Sequence, residues 1–431
     1  MERHIIKQIA LEQKQEISEL FRGRIVEREI GRTAKTMFDS GLIKVIMGVR
    51  RCGKSILAHQ SMKKKNYGYV NFDDERLIRV QKEDLNHFLE ALQEINPGFN
   101  DLLLDEVQNV EGWELFVNRL KRKGYAVTVT GSNARLLSRE LATHLTGRHF
   151  GIELYPFSFR EFLSYKGISA KEEDFYITER RALINSLFEE YMESGGFPET
   201  FTLSARRQYL RELFDKIITR DIVLRNHIKH IHDLKEVALY ALSNFGSRIT
   251  YHKIRNIFEI KSVHTIKKYL NYLQETFLVF QLDPFSFKLK EQMKQPRKLY
   301  AIDTGIINAL VPKMTLDYGR LMENLVFLEL KRRGKEIYYY PQPAYEVDFV
   351  IQNGSRITQL IQVCHSLAKE ETKKREIKGL LKASDPLKCR NLLIITRDQE
   401  GEERIDSSVI RIIPVWKWLL EEKPGKSSPI N

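Results

Sequence analysis

The sequence predicts an α/β protein that opens on a parallel β-sheet wound on both sides by helices. Three observations carry this. The run Ile43-Lys44-Val45-Ile46-Met47 is short and apolar-rich, as a strand buried on both faces must be. It flows directly into Gly48-Val49-Arg50-Arg51-Cys52-Gly53-Lys54-Ser55, which fits G-x-x-x-x-G-K-[ST] without mismatch, and a helix-compatible run, Ile56 to Gln60, follows. Strand-like runs then recur near 67–72, 101–105, 126–130 and 150–154 with helix-compatible stretches between them, the alternation that winds a parallel sheet.

Each part of the loop has a chemical reason. Gly48 and Gly53 let the backbone turn tightly, so that successive N–H groups point at phosphate oxygens. The helix that follows adds the positive end of its dipole. Arg50, Arg51, Cys52 and Ile56 complete the nucleotide-binding stretch, with Cys52 in a tolerant x position. Lys54 is expected to reach the β- and γ-phosphates of ATP, and Ser55 to ligate Mg²⁺. The strand Leu102-Leu103-Leu104 ends in Asp105-Glu106. Carboxylates beside a core cost free energy unless they are employed. Asp105 is expected to hold Mg²⁺ through water, and Glu106 to orient and polarise the attacking water. A third strand, 126–130, ends in Gly131-Ser132-Asn133, where either Ser132 or Asn133 is a candidate sensor of the γ-phosphate. Arg148 precedes the strand at 151–154 and is a candidate arginine finger for a neighbouring subunit's nucleotide, with Arg135 and Arg139 as rivals.

Composition bounds the rest. A length of 431 residues, with 42% hydrophobic and 29% charged residues, describes a globular chain of several domains. There is no apolar run long enough to span a bilayer and no signal-peptide core at the N-terminus, so no membrane role is expected. Cys52, Cys364 and Cys389 have neither metal-ligand nor disulfide spacing, which suits a reducing cytoplasm. His227, His230 and His232 lack a fourth ligand at a defined spacing. The net charge of +13 favours a polyanionic partner, nucleic acid before membrane.

The expected organisation is an N-terminal helical segment at 1–40, a nucleotide-binding core at 41–160, a helical lid or linker at 161–232, a winged helix-turn-helix at 233–317, a nuclease-like domain at 318–421 and a flexible tail at 422–431. In the first segment, Ile5, Ile6, Ile9 and Leu11 make a partial apolar stripe. Ser194 to Glu199, with two glycines and a proline, must be a tight loop. In the middle module, Ser262 can cap a helix whose apolar face is Val263, Ile266, Leu270 and Leu273, leaving Thr265, Lys267, Lys268 and Asn271 outward. The strand around Phe277 to Phe280 and the basic stretch Lys288, Lys290, Lys294, Arg297 and Lys298 are expected to form the wing, contacting DNA phosphates. In the last module a helix carries Glu323, a strand carries Asp348, and a hairpin leads to Gln362-Val363-Cys364. This is the layout of restriction-type nucleases, in which two acids, a third acid and a lysine build a Mg²⁺ site. Gln362 stands at the third acid and Cys364 at the lysine, so a nuclease-like fold without activity is expected, with Lys369 a remote substitute.

Gly48 to Ser55, Leu104-Asp105-Glu106, Thr130-Gly131-Ser132-Asn133 and Tyr155-Pro156-Phe157-Ser158-Phe159-x-Glu161-Phe162 together resemble the AAA-type ATPase domain of a large prokaryotic family that pairs it with a C-terminal domain, DUF4143. Gly195 to Glu199 and Glu323-Asn324 resemble that C-terminal part. The resemblance covers about residues 25–420 and implies an AAA+ core that hydrolyses ATP, a winged-helix domain and a restriction-endonuclease-like end. The reading that follows is an ATP-hydrolysing homo-oligomer, a hexamer being one expected size, that binds and remodels or translocates duplex or branched DNA. The alternatives are a nucleotide-gated regulatory or defence switch acting on protein partners and, less favoured because of Gln362 and Cys364, an ATP-dependent nuclease.

Overall fold

Strand β1 (Ile43–Met47) is buried at all five positions, and it pairs in parallel with β4 (Ala126–Gly131) on one side and β5 (His149–Glu153) on the other. Strand β3 (Asp101–Asp105) pairs with β4 and with β2 (Tyr67–Asn71), giving the order β2-β3-β4-β1-β5, parallel throughout. The five strands fall where the apolar runs predict them. Because β1 and β3 flank β4, the ends of all three open side by side at the carboxyl edge of the sheet, where doubly wound folds bind ligands. The computed structural model describes residues 1–63, 65–133, 149–312, 317–406 and 408–421. They form two compact units, one built on Met1–Pro156 and the other on Phe157–Gln274 and Leu278 onward.

In the first unit, α1 (Arg3–Leu20) lies against β2 and the later helix Leu85–Ile95. Its buried stripe is Ile6, Ile9, Ala10 and Gln13, a clean helical period. Ile5 and Leu11 of the expected stripe are exposed at 38% and 51% instead. Gln13 is polar yet buried because β2 is an edge strand. Its amide oxygen accepts from Asn71 N–H and its amide nitrogen donates to Asn71 O, at 2.9 and 3.0 Å. The N-terminal segment therefore belongs to the nucleotide-binding unit and seals its edge. Helix α2 (Lys54–Met62) follows the phosphate loop, α3 (Leu85–Ile95) precedes β3, and α4 (Trp113–Arg122) buries Trp113, Phe116, Val117 and Leu120.

The second unit begins with α5 (Phe159–Lys166), whose start is a reciprocal cap. Ser158 Oγ accepts from Glu161 N–H, and Glu161 returns a carboxylate oxygen to Ser158 N–H. Helices α6 (Thr178–Ser194) and α7 (Arg206–Lys216) and a π-helical stretch, Ile217–Leu224, complete the helical part. The Gly195-Gly196 loop is held by Asp303, whose carboxylate accepts from Gly196 N–H at 2.6 Å and caps a short helix through Ile306 N–H. A Cβ on Gly195, at φ +74°, would sit 2.0 Å from that carboxylate. Next come α8 (Ile231–Ser243), α9 (Tyr251–Ile257) and α10 (Val263–Glu275), with Ser262 Oγ accepting from His264 N–H at the last one's start. An antiparallel sheet accompanies them, ordered β6 (Arg248–Ile249, between α8 and α9), β8 (Arg297–Ala301), β7 (Val279–Leu282).

Two expectations for the basic stretch are corrected here. Residues Leu289–Lys294 are a short helix rather than part of a strand pair. Lys298 is buried at 3% exposure, and Arg297 is engaged by Asp283 at 2.6 Å. The reason is position: β8 is the central strand of its sheet, paired on both edges, and every residue after Arg297 in it is buried.

The chain ends in α11 (Tyr318–Arg332) and a mixed sheet ordered β13-β14-β12-β11-β10-β9. Its strands are β9 (Glu336–Pro341), β10 (Glu346–Asn353), β11 (Arg356–Val363), β12 (Leu392–Thr396), β13 (Gly401–Ile405) and β14 (Ser408–Pro414). Helix α12 (Glu370–Leu387) closes a core with Val347, Val350, Leu360, Leu380 and Ile394. The tail at 422–431 lies outside the described residues.

Candidate active site at the phosphate-binding loop

The loop is shaped by what surrounds it. A Cβ at Gly48 would come within 2.0 Å of Leu154 O, so only glycine lets β1 pass that close to the end of β5. Gly53, at φ +98°, turns the chain into α2. Lys54 Nζ donates to Gly48 O and Val49 O, each at 3.3 Å, and lies 3.2 Å from Glu106 Oε1. Burial opposes the Lys54 charge, but Glu106, with Cys52 and Asp105 behind it, holds its pKa above the ordinary lysine value. Arg50 reaches Asp73 at 3.0 Å, Arg51 is exposed and Ile56 is half-buried.

The two acids differ although they are adjacent. Asp105 is buried and accepts from the hydroxyls of Thr130 and Ser55. Burial, then the neighbouring Glu106 charge, pushes it up to about 6. Glu106 is half-buried, and desolvation pushes it up as well, but Lys54 and Gln108 outweigh that and draw it below the usual range. It adopts the left-handed conformation at φ 49°, ψ 41°, which turns its side chain toward the loop. Its carboxylate accepts from Ser132 N–H at 3.2 Å. Ser132 and Asn133 are both buried, and Ser132 Oγ has no hydrogen-bond partner among the described residues. Of the two sensor candidates, Ser132 is therefore the one whose backbone already touches the acid and whose hydroxyl is free for a ligand. Arg148, Arg135 and Arg139 lie outside the described residues.

Three contributors lack a sequence signal. Thr130, between the two acid-bearing ends, donates to Asp105 and accepts from Glu106 N–H at 3.0 Å. Gln108 donates to Glu106. Arg28, 4% exposed, donates to Cys52 O at 2.8 Å and to Tyr155 O at 2.6 Å, stapling the loop to the segment after β5. Nothing in its charged neighbourhood distinguishes it from a surface arginine. Cys52 corrects an expectation: it is not at a tolerant position but fully buried, with its thiol donating to Leu154 O at 3.3 Å and its pKa raised by burial.

The acids of the last module do converge, around an unexpected partner. Lys298 Nζ lies 2.8 Å from Glu323 Oε1, 2.6 Å from Glu346 Oε1 and 3.0 Å from Asp348 Oδ1. Tyr300 donates to Glu323 at 2.6 Å. Gln362 accepts from Asp348 N–H, and Asp348 Oδ2 accepts from Val363 N–H. Burial pushes Glu323 up, against the pull of Lys298. Among the described residues, no group of three or more His, Cys, Asp or Glu is arranged to hold a metal ion. The substitute lysine expected at Lys369 is exposed, at the start of α12. Of the basic candidates, Lys267, Lys268, Lys288 and Lys290 are exposed, while Thr265 is half-buried on α10.

Residues 40–163 match the family described as an AAA domain, residues 185–317 a domain of unknown function, DUF8612, and residues 318–418 another, DUF4143. The chain is 39% identical over 398 residues to the uncharacterized protein MJ1544 of Methanocaldococcus jannaschii, covering 88% of each. It is 33% identical over 401 residues to an uncharacterized protein of Haemophilus influenzae, covering 89% of this chain and 95% of that one. Among solved structures it is similar to ORC1 of Aeropyrum pernix in complex with DNA, at 12% identity and a TM-score of 0.30 over 68% of this chain and 94% of that one. No described helix is long and apolar enough to cross a membrane.

Proposed function

We infer the reaction from kinship and geometry together: the chain belongs to a family, present in an archaeon and a bacterium, that joins an AAA-type P-loop domain to a DUF4143 domain, and we propose that it hydrolyses ATP. The observation that carries this is the Lys54–Glu106 contact of 3.2 Å beside the Ser55–Asp105 hydrogen bond. A cation, a hydroxyl and two carboxylates with divided roles stand at the mouth of a glycine-cornered loop. Among the described residues Lys54 is held by two carbonyls and Glu106, so a triphosphate competes for it on favourable electrostatic terms. As Lys54 turns to the β- and γ-phosphates, Glu106 is released to accept a hydrogen bond from the attacking water. In this reading Ser132 Oγ donates to the γ-phosphate. Ser55 and Asp105 are hard oxygen donors already in contact, which fits Mg²⁺, an ion that when bound neutralises phosphate charge. The test is ATP turnover by Glu106→Gln beside Lys54→Ala. Glu106→Gln should retain ATP and lose turnover, whereas unchanged turnover removes Glu106 from the mechanism.

The substrate reading is DNA. The order α8, β6, α9, α10, β7, β8 supports reading this part as a winged helix-turn-helix, and in that reading exposed Lys267, Lys268, Lys288 and Lys290 supply phosphate contacts. In this reading the chain works as a homo-oligomer, with Arg148 completing a neighbour's site. DNA affinity should fall steeply with salt, and ATP turnover should rise with duplex or branched DNA. One observation favours the protein-directed switch instead. Phe287, Leu289 and Met293 are exposed at 75%, 70% and 76%, interleaved with those lysines, which suits an apolar partner. Turnover indifferent to every form of DNA decides for that switch.

A further inference from the structure

By position, a helix acid and a strand acid before a hairpin, the acid cluster of the C-terminal module has the arrangement expected of a divalent-cation centre, yet the residues present do not fit one. Two of the expected groups are replaced, by Gln362 and Cys364. Several of the acceptor oxygens that remain are also engaged. Gln362 Oε1 accepts from Asp348 N–H, Asp348 Oδ2 accepts from Val363 N–H, and Glu323 Oε1 takes the Tyr300 hydroxyl. The centre of the cluster is filled by the ammonium of Lys298, with oxygens of Glu323, Glu346 and Asp348 at 2.6–3.0 Å. That spacing is the N–H···O hydrogen-bond range and wider than the ~2.1 Å bonds of magnesium or the roughly 2.3–2.6 Å bonds of calcium.

Lys298 is not a passing visitor. It sits on the central strand of the β6-β8-β7 sheet, in register with Arg248 on one edge and Leu282 on the other. Its side chain is 4% exposed, against 11% for Glu323 and 9% for Asp348. Glu346, the most open of the three acids, has a second cation in Arg248. A buried ammonium held by three acids has no low-energy alternative place.

We propose that Lys298 is the resident cation of this cluster: its ammonium takes the place that a divalent ion would take, closes the cluster to metal, and leaves the module to grip other molecules without metal-dependent cleavage of phosphodiesters. The proposal stands apart from the ATPase reading, since it concerns only residues of the second unit.

The test is tyrosine-sensitised Tb³⁺ luminescence of the full-length chain without nucleotide, because Tb³⁺ occupies calcium-type oxygen sites and Tyr300 stands against Glu323. The wild-type signal should equal that of Asp348→Asn. Lys298→Met should give sensitised emission about tenfold above that of the Lys298→Met/Asp348→Asn double variant, saturating near about one ion per chain, as a site with freed carboxylates predicts. Lys298→Gln, which keeps a polar chain without the charge, should behave likewise. If either lysine variant fails to fold alone, Ca²⁺ or Tb³⁺ should restore its circular dichroism. Wild-type emission that Asp348→Asn abolishes overturns the proposal. So does a folded lysine variant with no Asp348-dependent emission, or two lysine variants that neither fold nor recover with metal.

Discussion

Lys54 of the first unit and Lys298 of the second are both buried against carboxylates, and the roles proposed for them are opposite. Lys54 touches one acid, Glu106, and two loop carbonyls. Lys298 touches three acids. Lys54 begins a helix after a glycine corner and shares Glu106 with Ser132, whose Oγ lacks a partner among the described residues. Lys298 is pinned in mid-strand, with the groups about it hydrogen-bonded to one another. A buried ammonium with a single acid partner is, in this reading, open to a ligand anion. The same ammonium with its charge matched several times over is part of the framework. Counting partners and asking which element carries the lysine separates a site from a lock, where burial alone does not.

That contrast can be broken in four ways, taken from the largest effect down. Removing the working acid should cost most in rate: Glu106→Gln should lower ATP turnover by roughly 10³-fold, about 4 kcal/mol of barrier, with stability of the first unit intact by thermal melting. Removing the locking lysine should cost stability and not rate. Lys298→Met strands buried carboxylates and should destabilise the second unit by about 3–5 kcal/mol in urea titrations while basal ATP turnover per folded molecule is unchanged. Adding Glu323→Gln and Asp348→Asn to it should recover part of that loss, and no recovery would mean that packing, rather than charge, is what Lys298 supplies.

The third concerns pH. His59 is buried against Tyr67 and Tyr69, its Nδ1 2.9 Å from Tyr67 Oη, and burial lowers its pKa from 6.5 to about 4. The folded value lies below the unfolded one, so protons bind the unfolded chain more tightly and stability is lost as pH falls from 6.5 toward 4. The full loss is about 3 kcal/mol. His59→Phe should flatten this acid limb in urea titrations of the first unit; an unchanged slope assigns it to other groups. The smallest effect is at Arg28. Arg28→Lys keeps the charge but cannot hold Cys52 O and Tyr155 O together, and loss of one such bond is worth about 1–1.5 kcal/mol. Because the staple shapes the loop and does not touch the reacting atoms, KM for ATP should rise by about tenfold with kcat nearly constant. A fall in kcat at constant KM would place Arg28 in the chemistry instead.

The parts legible in advance share a property. The loop from Gly48 to Ser55, the Asp105-Glu106 pair and the sensor turn after β4 each lie at one strand end, so a local motif reports them. Glu323 and Asp348 were legible because a helix and a strand of recognisable pattern carry them. The failures share the opposite property. Arg28 acts 24 and 127 residues away, Thr130 acts 25 residues from Asp105, and Lys298 is 25 and 50 residues from Glu323 and Asp348. Lys298 was misread as part of a solvent-facing basic stretch because its neighbours Lys288, Lys290 and Lys294 are exposed.

By itself the sequence determined the parallel sheet, the phosphate loop, the AAA-type domain ahead of a DUF4143 domain and the identity of two acids at each cluster, because hydrophobic period and motif spacing are written along the chain. The tertiary structure alone decided which charges meet. Whether a lysine faces solvent, a triphosphate or three carboxylates depends on which strand becomes central in a sheet and what packs over it. In the low-dielectric interior that choice sets the strength of every interaction the lysine makes.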